Sequence, residues 1–396
     1  QLYSNLAGTD SSRIEATGAA SLGGHVDVTL TDPANLLLGY NDVVLVDAAG
    51  GISGAFSGFT DNVADSIDSA LVYNADQALL RITLSPDSEA MLGFGAGTAH
   101  AVGLVAGVMD QRLRVLDDSR RAAGQGETGR THEGPWLQYY ASEAEFGGTG
   151  DGNAFDVATT GALAGMDLRL GDATSIGAVV GYGDSSTSTS AAYGTTRSLQ
   201  GGIYASQGLG RGYLEGIAMY SRQEYRSERR TLSGDIAGSE HDGDAIGVRI
   251  GGGFALRDGV TLFDQVAYDH VDQDGYVESG AAGFAQAFEA DSFESLRNRL
   301  GLRLSQFRQA EDGTVASPWL ELAWEHDFLI DEVQVASRPA SAPGPVVVAM
   351  RERDGRNGVG LRAGVSFLRT GMVFSLQGHF ERRGDLEDWG VGMQFG

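Results

Sequence analysis

Residues Asp388–Gly396 read DWGVGMQFG. Trp389, Val391, Met393 and Phe395 alternate with Gly390, Gly392 and Gln394. A period of two belongs to a β-strand, because successive Cβ atoms point to opposite faces. A strand in this position needs a partner on each side, or it leaves a bare row of N–H and C=O groups. Closing on an earlier strand, as in a barrel, supplies the second partner.

Upstream, the same period recurs from Gly134 onward. Strands are expected at about 135–146, 155–170, 174–186, 194–208, 212–228, 237–257, 260–274, 286–308, 317–330, 357–369, 372–383 and 388–395, which makes twelve. In Leu296–Ser305, Arg297, Arg299, Arg303 and Ser305 share one face, and Leu296, Leu300, Leu302 and Leu304 the other. In Trp319–Phe328, Glu321, Glu325 and Asp327 oppose Leu320, Leu322, Trp324 and Phe328. In Ile246–Arg257, Arg249 and Arg257 oppose Val248, Ile250, Phe254 and Leu256. The stretch 260–274 alternates poorly, and its faces stay unassigned.

A soluble β-sandwich also alternates. Two features favour a membrane barrel. Tight links at Leu170–Thr174, Leu209–Gly212, Arg257–Val260 and Arg369–Met372 take turns with long polar links at Gly183–Thr195, Arg226–Asp244, Asp272–Gln286 and Ile330–Asn357. Short turns on one side and long loops on the other describe an outer-membrane barrel. Many expected strands also exceed twelve residues, against about 5–6 in soluble sheets. All four Trp residues (Trp136, Trp319, Trp324, Trp389) fall in this half, as an interfacial aromatic girdle requires.

The totals agree. The chain has 396 residues, 59 Gly, 7 Pro and no Cys, so no disulfide holds it. Its net charge is −25, all 28 basic residues are Arg, and such acidity argues against nucleic-acid binding. No apolar run approaches the roughly 20 residues of a spanning helix, but a spanning strand needs only about 9–11. No leader pattern is visible at Gln1, so the leader of an exported chain would lie upstream or have been removed.

Residues 98–121, TAHAVGLVAGVMDQRLRVLDDSRR, switch to helical spacing at Val102, Val105, Met109, Leu113 and Leu116. Arg112, Arg114, Arg120 and Arg121 lie among Asp110, Asp117 and Asp118, so the helix has no broad apolar face and suits a polar cavity. A twelve-stranded barrel has room for one helix or one extended chain. Arg112, Arg114, Asp117 and Arg120 are therefore the expected plug residues, facing a lumen lined by Arg297, Arg299, Arg303, Glu321 and Glu325. Residues 122–133 read as a flexible linker.

Residues 1–90 carry short β-like pieces (Arg13–Thr17, His25–Leu30, Val43–Asp47, Leu71–Leu84) between Gly-rich turns. Their spacing of roughly 15–25 residues points to rungs of a right-handed β-helix. A small β-sandwich is the alternative. The pattern starts midway, as at the end of a longer solenoid. The expected fold is all-β: a 12-stranded antiparallel transmembrane β-barrel over 134–396, with a lumenal α-helix in 91–133, preceded by a short right-handed β-helix segment over 1–90.

At this point the chain resembles the autotransporters of Gram-negative bacteria, secretion type V. The resemblance rests on the end of the solenoid (GGHVDVTL, LVDAAGGISGAFSG, LVYNADQALLRITL), the helix, the first strand GPWLQYYASE, and the later strands AMYSRQEYR, LRNRLGLRLS, SPWLELAWEHDF and WGVGMQFG. It implies a twelve-stranded translocator in the outer membrane that exports its own N-terminal passenger, often a pertactin-like β-helix, to the cell surface. Residues 10–85 would be the autochaperone segment. The implied partners are outer-membrane lipid, the barrel-assembly machinery, periplasmic chaperones and the passenger itself, with the barrel monomeric and no nucleic acid involved. The family ends its chains on an aromatic residue read by the assembly machinery. Phe395 is the expected signal here, although Gly396 follows it. Some members release the passenger by cyclising an Asn in the helix. Residues 91–133 contain no Asn, so that route is not expected.

No catalytic constellation stands out, and the chain is read as a non-enzyme without metal or cofactor. The seven His residues are scattered. GYGDS at Gly181–Ser185 reads as a strand end and not a nucleophile turn. A calcium loop starting at His270 fails at Ala281, where charge is needed. Gly93, Gly95 and Gly97 read as a flexible joint, and Arg383-Gly384-Asp385 as an incidental turn. The rivals to self-export are a surface adhesin, a passenger enzyme (protease or esterase) whose catalytic part lies outside this chain, and a diffusion porin with the helix outside its lumen.

Overall fold

The structure is a computed structural model. It describes residues 2–4, 13–30, 39–61, 68–84, 89–124, 133–148, 154–231, 234–281, 283–329, 333–340, 346–351, 355–369 and 371–396.

Twelve strands form the barrel: β1 (Pro135–Phe146), β2 (Phe155–Leu170), β3 (Thr174–Thr189), β4 (Ala192–Leu209), β5 (Gly212–Arg230), β6 (Ile236–Arg257), β7 (Val260–Gln273), β8 (Asp291–Ser305), β9 (Val315–Asp327), β10 (Asn357–Arg369), β11 (Met372–Arg383) and β12 (Leu386–Phe395). Each pairs antiparallel with the next, and β12 closes on β1 from Leu137 opposite Phe395 to Phe146 opposite Leu386. No barrel strand is left as an edge. Trp389, Val391, Met393 and Phe395 point outward and are 39–52% exposed, while Asp388 and Gln394 point in and are buried. Leu300, Leu302 and Leu304 on β8, Leu320, Leu322 and Trp324 on β9, and Ile246, Val248 and Ile250 on β6 continue the outward apolar belt. A belt this continuous faces hydrocarbon, because in water it would be a very large exposed apolar patch.

The tight links fall where the sequence places them. In each a glycine takes a left-handed φ: 72° at Gly171, 62° at Gly210, 74° at Gly259 and 75° at Gly371. The medium link between β8 and β9 carries Asp312, which accepts the Thr314 backbone N–H at 3.1 Å. That hydrogen bond holds the Asp312 carboxyl below its ordinary range.

The long links differ from expectation. Two of them are mostly strand, since β3 runs to Thr189, β4 begins at Ala192, β5 runs to Arg230 and β6 begins at Ile236. Above the apolar belt both faces of these strands carry polar residues, so the ladder continues without a hydrophobic alternation to announce it. The other two contain a second sheet of four short strands, Tyr276–Val277, Gln286–Phe288, Val333–Pro339 and Val347–Arg351. The expected strand 286–308 is therefore split: Gln286–Phe288 belongs to this sheet and β8 starts at Asp291. A stack of four rings, Tyr225, His241, Tyr276 and Phe288, ties the sheet to β5 and β6 with centroid spacings of 4.8, 4.0 and 4.7 Å. Arg229 on β5 donates twice to the buried Glu278 carboxylate, at 2.9 and 2.7 Å.

In the N-terminal segment three ladders are parallel. Leu2–Ser4, His25–Leu30 and Gly58–Thr60 form one, Ile14–Ala16 with Gly39–Ala48 another, and Ala20–Leu22 with Ile52–Gly54 the third. Ile14 lies opposite Val46 and Ala20 opposite Ile52, a step of 32 residues and longer than the expected 15–25. The expected piece Leu71–Leu84 is a hairpin, Asp68–Tyr73 with Gln77–Leu84, which pairs antiparallel with Gly39–Ala48. The core of this segment (Val26, Val28, Leu45, Leu80, Ile82) is continuous with Ala237 of β6 and with Ala281 and Phe284 of an outer link.

The helix runs Glu89–Gly124, nine residues further upstream than the expected 98–121. Gly93, Gly95 and Gly97 lie inside it and do not form a joint. A Cβ on Gly93 would come within 3.0 Å of Phe155, and one on Gly97 within 2.8 Å of Thr187. The wall leaves little room there, and packing overrides the roughly 1 kcal/mol helical disadvantage of each glycine. Most of the expected linker, 125–132, lies outside the described residues.

Because the chain has no cysteine, the closure can be tested directly. Ala141 and Val391 are Cα partners across the β1–β12 seam. The double variant Ala141→Cys/Val391→Cys should oxidise to an intramolecular disulfide, read by loss of thiol labelling under denaturing conditions. A seam shifted by one residue turns one thiol to the other face, and both thiols would stay free.

Candidate functional site: a helix in a charged lumen

The period of two points one set of side chains into the barrel, and the antiparallel register decides which of them meet. Arg299 lies opposite Glu325, and Arg303 opposite Glu321. Arg299 Nε donates to Glu325 at 3.0 Å, Arg303 Nε to Glu321 at 2.6 Å, and Arg299 Nη1 crosses to Glu321 at 3.2 Å. The helix adds a third guanidinium. Arg114 reaches Glu321 at 3.3 Å and Gln377 at 2.6 Å, and it stacks over Trp319 at 4.2 Å. The Glu321 side chain is fully buried among these three arginines.

A second knot sits one helical turn earlier. Asp110 accepts from Arg249 at 2.8 Å, Arg362 at 2.7 Å and Gln265 at 3.0 Å, so β6, β7 and β10 converge on one helical carboxylate. A third lies against β2. Arg112, fully buried, pairs with Asp167, which also accepts the Tyr204 hydroxyl. Tyr204 in turn accepts Trp136 Nε1–H at 2.7 Å. Nearer the helix C-terminus, Asp118 accepts from Ser317 at 2.9 Å and Arg120 donates to Ser206 at 2.7 Å. Toward its N-terminus, His100 lies 3.6 Å from Asp388, which is also 3.0 Å from His379.

The expected residues thus divide. Arg299, Arg303, Glu321, Glu325 and Arg114 form one cluster. Arg297 faces the lumen but pairs with Asp269, at 3.2 Å. Arg112 meets β2, far around the wall from that cluster. Asp117 pairs along the helix with Arg121, at 2.8 Å. Phe395 faces outward beside Phe374, with ring centroids 5.2 Å apart. Gly396 extends the ladder past it, exchanging both backbone hydrogen bonds with Val373, at 3.0 and 2.7 Å.

Sequence reasoning did not single out Asp110, Asp167 or Arg362 as contacts. Arg362 is the lone inward charge on β10, between Gly360 and Gly364, and that isolation is the signal that marks it. The Trp residues also divide: Trp324 and Trp389 face outward, but Trp136 and Trp319 are buried in the lumen. Gly181–Ser185 lies within β3, and Ser185 bonds Thr159 at 3.0 Å. Arg383 is buried against Asp327 at 3.2 Å, which withdraws the arginine of the Arg-Gly-Asp triplet from the surface, while Gly384 and Asp385 are exposed. Among the described residues no cluster of His, Asp and Glu could hold a metal ion.

The helix leaves little free space beside its middle turns. Cavities there include one of about 60 Å3 lined by His100, Arg297 and Arg362, one of about 30 Å3 lined by Thr98, Tyr140 and Gln200, and one of about 10 Å3 beside Asp110 and Arg114. Cavities of this size have room for a few waters.

Glu321→Gln keeps the shape but leaves three buried guanidinium groups short of one negative charge. It should destabilise the barrel by about 3–5 kcal/mol, the usual cost of breaking a buried charge cluster from one side. The readout is the temperature at which the folded band is lost in heat-modifiability gels. A variant as heat-resistant as the parent would remove Glu321 from its central place.

Residues 135–380 match the autotransporter beta-domain family. No curated protein matches the chain in sequence. Among solved structures, the translocator domain of the autotransporter NalP from Neisseria meningitidis is similar at 18% identity and a TM-score of 0.57, over 76% of this chain and 96% of that one. The beta domain of the Bordetella autotransporter BrkA is similar at 18% identity and a TM-score of 0.50, over 67% of this chain and 98% of that one. With the closed twelve-stranded barrel and the helix inside it, the family match establishes that this chain belongs to the autotransporter beta-domain family.

Proposed function

We propose that the chain is an outer-membrane translocator that exports its own N-terminal passenger, and that segment 98–121 then stays in the lumen as a plug. The observation that carries this reading is the set of buried ion pairs from the helix to the wall at Asp110, Arg112 and Arg114. A helix merely resting in a wide pore has no need of three charged contacts on different strands. A diffusion porin with the helix outside its lumen does not fit this placement.

Residues 1–90 serve as the last rungs of the passenger, residues 91–133 as the link through the lumen, and residues 134–396 as the translocator. Parallel ladders with a 32-residue step support the β-helical reading of the first part. Each rung buries apolar surface on its neighbour, so folding outside the cell biases movement outward without a nucleotide. In this reading the barrel is monomeric and non-catalytic, and Phe395 is the residue offered to the assembly machinery. Any adhesive or enzymatic activity belongs to the passenger.

Planar-bilayer conductance tests the plug. The intact chain should be closed or nearly so, and deletion of residues 98–121 should give stable open channels. A deletion variant that inserts yet stays closed would reject it. A second expectation concerns the helix itself. Lacking Asn in 91–133, the purified chain should keep its N-terminal segment attached, with an intact mass by mass spectrometry after prolonged incubation. A cut appearing within 98–121 in purified protein would overturn this.

A further inference from the structure

A large cavity lies at the short-turn end of the barrel, where the helix leaves the lumen. Its volume is about 830 Å3, within the range of small-ligand clefts. Four arginines line it: Arg120 and Arg121 from the last helical turns, Arg211 from the β4–β5 turn and Arg257 from the end of β6. Three carboxylates share the lining, and one of them is held in a buried ion pair. Asp117 pairs with Arg121 at 2.8 Å, and Asp172 lies 3.7 Å from Arg169 with its side chain turned to solvent. Asp258 remains at the rim.

Two of the arginines have spare donors. The Arg120 side chain is nine-tenths buried and its Nη2 lies 3.7 Å from Asp117 Oδ1, while its Nε and Nη1, themselves buried, have no hydrogen-bond partner among the described residues. Ser206 fixes its Nη2 at 2.7 Å, so the guanidinium is held in place with those donors unused. Arg257 makes no ion pair among the described residues and is exposed. Guanidinium groups clustered with free donors select oxyanions, and phosphate above others, because several N–H groups can converge on it.

The same rim locates the membrane. Leu209, Phe254 and Leu256 face outward there, each about half exposed, and they end the apolar belt. Arg211 stands at this boundary, over the Phe254 ring at 5.4 Å and bonded to Leu256 O at 2.7 Å. The headgroup level of the adjoining leaflet therefore coincides with the cavity. We propose that this basic mouth is a binding site for a phosphate group, presented by an acidic phospholipid of that leaflet or by a free phosphate ion.

The test uses the full chain and two probes. In phosphatidylcholine nanodiscs containing phosphatidylglycerol, native mass spectrometry should show phosphatidylglycerol retained in preference to phosphatidylcholine. Arg257→Gln, at the rim and away from the packed lumen, and Arg120→Gln should each lower that retention about tenfold, the equivalent of one charge-assisted hydrogen bond. Inorganic phosphate, followed by 31P line broadening in detergent, should bind the parent and bind both variants more weakly. This arm does not depend on membrane orientation or on export, so it is separable from failure of the translocator reading. Substitution-sensitive binding of inorganic phosphate without any lipid preference would support the site and assign it to a soluble source. Equal retention of both lipids with no substitution-sensitive phosphate binding would overturn the proposal. Matched heat-modifiability would show that the variants fold.

Discussion

In hydrocarbon, every backbone N–H and C=O must be paired within the protein. The rest of this structure depends on that constraint. It requires closure, and closure of an antiparallel sheet requires that β12 lie beside β1. The composition follows. Gly301 and Gly364 sit where a Cβ would strike backbone on the neighbouring strand, at 2.5 Å in each case. Within the belt outward faces are mostly apolar because little else fits lipid, and most of the polar side chains at that level point into the lumen.

Confinement creates the second problem, a lumen full of charge away from bulk water. Leaving guanidinium and carboxylate groups unpaired there is costly, and pairing them is close to neutral against an apolar core. The gain is therefore in position more than in stability. Asp110 meets two arginines four strands apart, on β6 and β10, and Arg112 and Arg114 diverge to Asp167 and Glu321. A helix turned or slid by one residue would break all of these contacts together.

Much of this was legible in the sequence. Seven of the twelve strands begin at the expected residue, because lipid on one side and charge on the other give the strongest contrast a strand can carry. Legibility fails wherever that contrast is lost. Above the belt, Asp184–Thr189 and Arg226–Arg230 are polar on both faces, so strand reads as loop. On β7, Phe263 and Ala267 point into the lumen with Gln265 and Asp269, and Asp264 points out, which blurs the pattern. Phe263 is inside because Arg299 and Arg303 lie over its ring, at 5.2 and 5.7 Å. The helix start was hidden by Gly93, Gly95 and Gly97, whose local preference opposes a helix that the wall enforces. Within the site, alternation identified Arg299, Arg303, Glu321 and Glu325 as inward. It could not tell which would meet the helix, since that depends on the rotation of the helix about its axis.

The shared core of Val26, Leu45, Ile82, Ala237, Ala281 and Phe284 has a mechanical meaning. A pull on the upstream end of the chain reaches the barrel through two routes in parallel, the covalent helix and this apolar contact. Along the parallel ladders, load applied in the strand direction shears several hydrogen bonds at once. The terminal hairpin Asp68–Leu84, by contrast, opens bond by bond. Its contact with the outer links braces that weak step, so tension from outside is spread over the rim before it falls on the single helix in the lumen.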